Sequence, residues 1–203
     1  MGEKERWASA GAGLVSPEAA TPLRADARRN RELILAAADE MFAAEGVGVP
    51  VDEIARRAGV GAGTLYRHFP TKEALFEAVL IAHMERLAAR GRELAERDDP
   101  GVALFEFIES LAHEGASKKN LVDALSGAGI DFKASASASK AAVEGAFREL
   151  LLRAQKAGTI RTDVTVADLF TLVMGTCTLA NPVAEGSQAR MLAVVCAGLR
   201  VPG

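Results

Sequence analysis

Two short helical patterns separated by a tight turn constrain this chain more than any other feature of its sequence. The first pattern carries its apolar side chains on one face from Val51 to Ala58, and the second turns Leu65 and Phe69 inward. The first pattern stops at Gly59, a residue type that readily takes the left-handed backbone conformation such a turn demands. Helices joined so closely must cross steeply, which predicts a helix-turn-helix unit.

Helical periodicity continues along nearly the whole chain from Ala25 onward, and no segment alternates apolar and polar residues as a strand does. The first helix is predicted to end near Gly46, and Thr71 is expected to cap a long helix that reaches about Glu96. Further helices are predicted at about 104–112, 121–125, 143–158, 166–180 and 187–200. We therefore expect an all-α fold, in which an N-terminal three-helix helix-turn-helix head is joined by a long helix to a C-terminal helical body.

Length and composition fit this division into a head and a body. The chain has 203 residues, and a hydrophobic fraction of 49% allows a core without metals or disulfides. Residues 1–25 are predicted to be a flexible leader, 26–72 the helix-turn-helix head, and 73–203 the helical body. Cys177 and Cys196 lie in apolar helical stretches and are expected to be reduced thiols. Since no secretory signal and no run of about eighteen apolar residues occurs, we expect a cytoplasmic protein without a membrane segment.

The helix after the tight turn displays polar side chains of the kind that contact bases and phosphates. They are Thr64, Tyr66, Arg67 and His68. In a helix-turn-helix this second helix lies in the major groove of DNA, while the first lies against the backbone. Charge adds little, because the segment from Arg24 to Lys72 carries eight basic and seven acidic residues in a chain of net charge −3. Four arginines between residues 24 and 31 precede the apolar stripe of the first helix, and they are expected either to contact DNA or to form a solvated basic tail.

A longer stretch of sequence around this unit is similar to a known signature. Residues 63–75 read GTLYRHFPTKEAL and follow IARRAGV at 54–60, and together they resemble the DNA-binding signature of the TetR/AcrR repressors. The resemblance extends from about Arg31 to Leu80. It implies an all-helical homodimer that binds operator DNA and is released by a small, largely apolar effector held in the body. It also implies that the last two helices of each subunit pair in a four-helix interface.

The same resemblance assigns roles to individual residues of the head. Thr64 and Arg67 are expected to reach bases or nearby phosphates, and Tyr66, His68 and Lys72 to contact the DNA backbone. Gly63, which begins the signature, completes the predicted DNA-binding set. The sequence departs from the family pattern at residues 61–62, where glycine and alanine replace the serine and lysine of many members. A helix cap and one phosphate-binding cation are therefore missing.

Two further sets of residues are predicted in the body. An apolar effector pocket is expected to be lined by aromatic and methionine side chains, although plain core packing is the alternative for each of them. These pocket candidates are Phe105, Phe107, Phe132, Phe147, Phe170 and Met174. The last two helices are apolar around most of their circumference, which indicates a twofold partner. The predicted interface residues are Leu169, Leu172, Val173, Met191, Leu192, Val195 and Leu199.

Enzymatic sites find no support in the sequence, and neither a cofactor nor a metal is predicted. A di-iron helical bundle needs glutamate three residues before histidine, but Leu65, Leu80 and Ser110 occupy those positions. His83 and His113 are interpreted as ordinary partly buried or surface histidines. The alternative function, from a different class, is a helical binding protein that sequesters a lipophilic molecule without contacting DNA.

Overall fold

The computed structural model describes residues 17–127, 136–179 and 186–201. Within these ranges the chain forms eight helices, and its only strand-like pairing is an isolated antiparallel bridge between Ile160 and Arg200. The helices are α1 (Pro17–Glu45), α2 (Val51–Arg57), α3 (Ala62–His68), α4 (Lys72–Ala95), α5 (Pro100–Gly127), α6 (Ser137–Lys156), α7 (Val166–Leu179) and α8 (Ser187–Leu199). The predicted all-α class is confirmed.

The tight turn and the cap predicted for the head are both present. Gly59 has a φ of +69°, and the backbone N–H of Val60 closes the turn by donating to the carbonyl of Ala55 at 3.0 Å. At the start of α4, the hydroxyl oxygen of Thr71 accepts a hydrogen bond from the backbone N–H of Ala74 at 3.1 Å. Both features follow from residue type: glycine tolerates positive φ, and threonine satisfies an amide that the first helical turn leaves without a partner.

Two helices extend further than their apolar patterns predicted. The structure forms one helix, α5, where the sequence predicted separate helices at 104–112 and 121–125. Residues 113–120 interrupt the apolar stripe but include no proline, so the backbone hydrogen-bonding pattern of the helix continues through them. Helix α1 begins at Pro17, inside the segment predicted to be a flexible leader, and residues 1–16 lie outside the described residues. A proline is well tolerated at this first position because its missing N–H has no helical partner there.

Two hydrophobic cores share helix α4. The head core combines α1, α2 and α3 with the first part of α4, and in it the rings of Phe42 and Phe76 meet edge to face with centroids 4.8 Å apart. The body core combines the second part of α4 with α5 to α8. Along α4, Leu80 is the last side chain buried in the head core and Leu87 is the first buried in the body core. The two cores therefore meet along the middle of α4.

Close packing in the body depends on Gly91 of α4. A Cβ atom added to this glycine would lie 2.7 Å from Cβ of Ala146 on α6 and 2.9 Å from Cε2 of Phe107 on α5. Both distances are shorter than carbon atoms tolerate, so the three helices approach this closely only because the residue is glycine. Phe107 in turn packs against Phe147 with ring centroids 5.6 Å apart, and both side chains are fully buried.

Candidate functional site

Helix α3 is anchored by one face and exposes the other. Leu65 and Phe69 are 1% and 3% exposed in the head core, which fixes the rotation of the helix about its axis. Tyr66 is consequently 47% exposed, and Arg67 also points to solvent. Thr64 and His68 are half-buried, while Gly63 is exposed with open space where a side chain would stand. Of the residues predicted to contact DNA on this helix, Gly63, Tyr66 and Arg67 are therefore exposed, and Thr64 and His68 are only partly accessible.

Cations surround the C-terminal end of α3. Lys72, the first residue of α4, lies with its Nζ atom 5.7 Å from the centroid of the Phe76 ring. The guanidinium of Arg31 lies 5.5 Å from the centroid of Phe69. Arg67 makes no ion pair with any residue in the described ranges. The positive charge on this surface therefore comes from three helices, with Arg31 on α1, Arg67 on α3 and Lys72 on α4.

Other basic residues of the head are already paired with acids. Arg57 donates to Glu40 at 2.9 Å, Arg56 lies 3.7 Å from Glu53, and Arg28 lies 3.9 Å from Glu32. The arginines from 24 to 31 belong to helix α1 rather than to an extended tail, since α1 already begins at Pro17. Their solvated-tail interpretation is therefore wrong in its backbone conformation, and any contact with DNA must come from a helix surface.

The start of α3 lacks a side-chain cap, as residues 61–62 predicted. Gly61 occupies the N-cap position in an extended conformation, and no side chain accepts a hydrogen bond from the first turn of the helix. The backbone amides of that turn are consequently not covered by a capping side chain. Such amides are suited to an anionic partner at a helix N-terminus.

A cavity of about 160 Å³ lies in the body beside the middle of α4. Its lining is largely apolar and comes from α4, α5, α6 and α7. Among the lining side chains are Leu80, Met84, Leu87, Leu111, Phe170 and Met174. Phe170 and Met174, two of the six pocket candidates, line this cavity.

The remaining pocket candidates lie elsewhere. Phe107 and Phe147 are fully buried against each other in the body core, and Phe105 carries the guanidinium of Arg200 over its ring at 4.8 Å from the centroid. None of the three lines the cavity. For Phe107 the reason is that α4 and α6 cover α5 from two sides, so a residue off the main stripe is still enclosed. Phe132 lies outside the described residues.

Three polar side chains that sequence reasoning did not select line the same cavity, namely His83, Glu114 and Lys140. The Nδ1 atom of His83 on α4 contacts Oε2 of Glu114 on α5 at 2.5 Å. Its Nε2 atom contacts Oδ1 of Asp39 on α1 at 3.0 Å, and Arg86 donates to the other oxygen of Asp39 at 3.1 Å. This chain of four side chains, the Glu114–Arg86 network, joins the cavity wall to the head.

The charge state of the network follows from its surroundings. Burial, the largest single effect, lowers the pKa of His83 because it disfavours the imidazolium. The hydrogen bonds and negative charges of Asp39 and Glu114 together outweigh burial, so the pKa of His83 is raised above its ordinary value. An imidazole whose two nitrogens both face carboxylates acts as donor to both only in its protonated form. One weak sequence signal pointed to this site, since His83 stands in an otherwise apolar stretch of α4.

The predicted interface residues fall into two groups. The subunit itself buries Leu169, Val173, Leu192 and Leu199 in the body core, each at 8% exposure or less. In contrast, Leu172 remains 46% exposed, and Met191 and Val195 are half-buried. Val194, which was not predicted, is 73% exposed beside them on α8. The apolar surface that α7 and α8 leave uncovered is therefore narrower than the sequence pattern indicated.

The described ranges contain neither a helix that could span a membrane nor a cluster of side chains suited to a metal ion. No helix there combines the length and the apolar character needed to cross a bilayer. The same residues hold no group of three or more histidine, cysteine, aspartate or glutamate side chains suited to a metal ion.

Family models match both regions of the chain. Residues 34–79 match the model described as bacterial regulatory proteins, tetR family. Residues 99–201 match the model described as the C-terminal domain of SbtR-like transcriptional regulators. The first match contains the helix-turn-helix, and the second contains most of the body.

Solved structures and curated proteins give the same result. The TetR transcription regulatory protein from Mycobacterium vanbaalenii is 47% identical, with a TM-score of 0.74 over 89% of this chain and 100% of that one. The TetR transcriptional regulator SCO0520 from Streptomyces coelicolor is 33% identical, with a TM-score of 0.73 over 85% of this chain and 99% of that one. The HTH-type transcriptional regulator UidR from Escherichia coli strain K12 is 36% identical over 101 residues, which are 49% of this chain and 52% of that protein. The chain thus spans about half the length of the curated relatives it matches.

Proposed function

We propose that this chain, which belongs to the TetR family of bacterial transcription regulators, is a dimeric repressor that a small, largely apolar ligand releases from operator DNA. The observation that carries the proposal is the orientation of α3, whose Leu65 is buried while Tyr66 and Arg67 face solvent. A helix held this way offers its polar face to the major groove. Operator DNA lies in the cytoplasm, so we place the action of the protein there.

Within this function, residues 26–72 carry DNA binding and residues 73–203 carry ligand binding and dimerisation. Thr64 and Arg67 are assigned to base edges, since hydroxyl and guanidinium groups discriminate between bases in the major groove. Tyr66, His68 and Lys72 are assigned to phosphates, which set the position of the helix rather than its preference. Gly63 leaves space for the DNA backbone to approach the start of α3.

A twofold partner suits the apolar surface of α7 and α8. Leu172 and Val194 are large apolar side chains that are 46% and 73% exposed in the isolated subunit, and Met191 and Val195 are only half covered. Packing these groups against the same surface of a second copy removes them from water. A dimer also places two copies of α3 on one operator, because half-sites one helical turn apart are read by two heads.

Ligand release is supported by the cavity beside α4. It is largely apolar, it carries a few polar groups, and it lies where the head and body cores meet. A cavity of that composition suits a small apolar molecule. A ligand there lowers DNA affinity if it binds better to a dimer whose heads are misplaced on the two half-sites.

The proposal is tested by selecting preferred duplexes from a random-sequence library and measuring their affinity by fluorescence anisotropy. Arg67→Ala is expected to cost about 1–3 kcal/mol on the preferred duplex and to relax the preference at one position. The matched control is Arg92→Ala, which removes an exposed arginine from the body end of α4. Equal effects of the two substitutions, or selection of no preferred sequence, contradict the proposal. Ligand binding without any preferred sequence would favour the alternative, a protein that only sequesters lipophilic molecules.

A further inference from the structure

We propose that Glu114 receives a hydrogen-bond donor of the ligand, and that its contact with His83 transmits occupancy of the cavity to Asp39 in the head. The ligand class is a compact, uncharged and mostly apolar molecule with one hydroxyl or similar donor at its end. This inference rests on the proposed function, because it specifies the ligand and the coupling of the same cavity.

The size of the cavity limits the ligand. At about 160 Å³ it is similar to an engineered apolar cavity of about 150 Å³ that accepts benzene. One substituted aromatic ring, or a branched aliphatic group of that volume, therefore fits without rearrangement. Most of the wall is apolar, so most of such a ligand gains by leaving water.

The polar groups of the wall determine where a donor is placed. Glu114 reaches both the cavity and His83, and its side chain is 33% exposed, while that of His83 is only 11% exposed. A carboxylate accepts several hydrogen bonds, so Glu114 has capacity for a ligand donor in addition to its contact with His83. Lys140 also lines the cavity, but its Nζ lies 3.7 Å from Glu144. Its ammonium group therefore already has a carboxylate partner, and as a donor it cannot accept a hydrogen bond from the ligand.

Charge balance within the Glu114–Arg86 network favours an uncharged ligand. When His83 is protonated, as its raised pKa favours, its imidazolium faces the carboxylates of Asp39 and Glu114, and Arg86 also pairs with Asp39. An anionic ligand would place a second negative charge beside Glu114 at the edge of an apolar cavity. Such a charge is costly there unless a cation accompanies it.

The network crosses three helices and therefore connects the cavity with the head. Glu114 lies on α5 of the body, His83 on the shared helix α4, and Asp39 on α1 of the head. A donor bound to Glu114 draws part of the carboxylate's negative charge away from Nδ1 of His83, and the weakened contact there changes how strongly the imidazole holds Asp39. The two sites then share a coupling free energy, which acts equally in both directions.

The first experiment compares three probes that share an ethyl-substituted ring by isothermal titration of the full-length chain: 4-ethylphenol, ethylbenzene and 4-ethylbenzoate. The affinity for the phenol is expected to be at least about 10-fold higher than for the other two probes, because a hydrogen bond to a charged group is strong in an apolar cavity. In Glu114→Gln this preference should fall several-fold, while ethylbenzene affinity stays unchanged and reports an intact cavity. The matched control is Glu85→Gln, which removes an exposed carboxylate from α4 and should keep the full preference.

The second experiment measures the coupling. Saturating 4-ethylphenol is expected to weaken wild-type binding to the preferred duplex within the range of about 5- to 150-fold that is usual for coupled sites. In His83→Gln the phenol should still bind, but the weakening should be largely lost. The chain has three histidines, so the imidazole NMR signals of His83 can be assigned with this variant. They should shift with 4-ethylphenol and remain in place with ethylbenzene.

The possible failures are distinguishable. Equal affinity for phenol and ethylbenzene, or no binding of either, overturns the donor site on Glu114 and leaves sequence-specific DNA binding untouched. Tight phenol binding that weakens DNA binding equally in wild type and His83→Gln overturns the role of the network. Failure of the Arg67 comparison in the absence of any probe overturns the proposed function itself.

Discussion

The head and the body of this chain present their polar groups in opposite directions. In the head, the apolar side of α3 is enclosed and Tyr66 and Arg67 face solvent. In the body, the outer surface of α7 and α8 is apolar at Leu172 and Val194, while His83 and Glu114 line an internal cavity. Under the proposed function, the head meets a highly charged partner at its surface, and the body meets an apolar ligand in the cavity and a second copy at α7 and α8.

This difference bears on how each region tolerates change. A polar group on the outside of a helix is replaced at little cost to folding, because water solvates whatever remains. A polar group inside the body is held by partners on two other helices. Its loss leaves those partners buried without a hydrogen bond, which costs free energy of folding. Substitutions in the head should accordingly affect binding first, and substitutions in the body should affect stability and assembly first.

The largest effect is expected at the outer surface of the body. Leu172→Asp would bury two unpaired charges per dimer, each at a cost on the order of several kcal/mol, and should dissociate the dimer. Sedimentation velocity measures the result. Leu152→Asp is the control, because Leu152 is 58% exposed and lies on α6, outside the predicted interface set. A Leu172→Asp protein that sediments as the wild-type dimer would remove α7 from the interface.

The next effect concerns the body core. Phe107→Ala should lower the free energy of unfolding by about 3–5 kcal/mol, since a fully buried ring would leave a cavity next to Gly91 and Phe147. Urea denaturation measures it, with Leu152→Ala as an exposed control expected within about 0.5 kcal/mol of wild type. The preference among duplexes should be retained below the transition. A loss of less than about 1 kcal/mol would mean that the core closes around the missing ring.

A smaller effect separates the outward groups of the head. Lys72→Ala should weaken binding equally on preferred and random duplexes and should reduce the salt slope of the affinity by about one unit. Anisotropy titrations at several salt concentrations give that slope. Lys156→Ala, at an exposed lysine in the last turn of α6, should leave it unchanged. An unaltered slope in Lys72→Ala would exclude this lysine from phosphate contact.

The smallest effect is the pH dependence that His83 confers. Because its pKa is raised in the folded protein, its contribution to stability is fully present below the unfolded value of about 6.5 and is lost as pH rises through the folded value. The difference in unfolding free energy between wild type and His83→Gln should therefore shrink as pH increases across that window. Asp39 from α1 and Glu114 from α5 are the charged groups that contact the imidazole, and Arg86 from α4 pairs with the other oxygen of Asp39. A difference that grows with pH would contradict the assigned direction.

The two regions also differ in how far the sequence predicted them. For α3, the spacing of Leu65 and Phe69 was enough to predict the buried side of the helix and therefore which neighbouring residues face solvent. The cavity could not be predicted in this way, since Asp39, His83 and Glu114 are distant in sequence and meet only after three helices pack. Phe107 was similarly misassigned, because a residue off the main stripe is still buried when helices cover two sides. The continuity of α5 was missed because residues 113–120 contain no large apolar side chain. The spacing of apolar residues indicates which side of a helix is buried, and it does not show where the helix ends.

The sharing of α4 between two cores sets a limit on modularity. Residues 26–72 include all six residues of the predicted DNA-binding set, yet Phe42 is covered by Phe76, and Leu75 and Val79 complete the same core. Leu121, from the far end of α5, fills a further place in it. A head excised at residue 72 would expose this apolar surface to water. A chimera that exchanges heads between relatives must therefore include the first half of α4 with the head. Its head core must also fit the end of α5 from the other protein, which supplies the side chain at position 121.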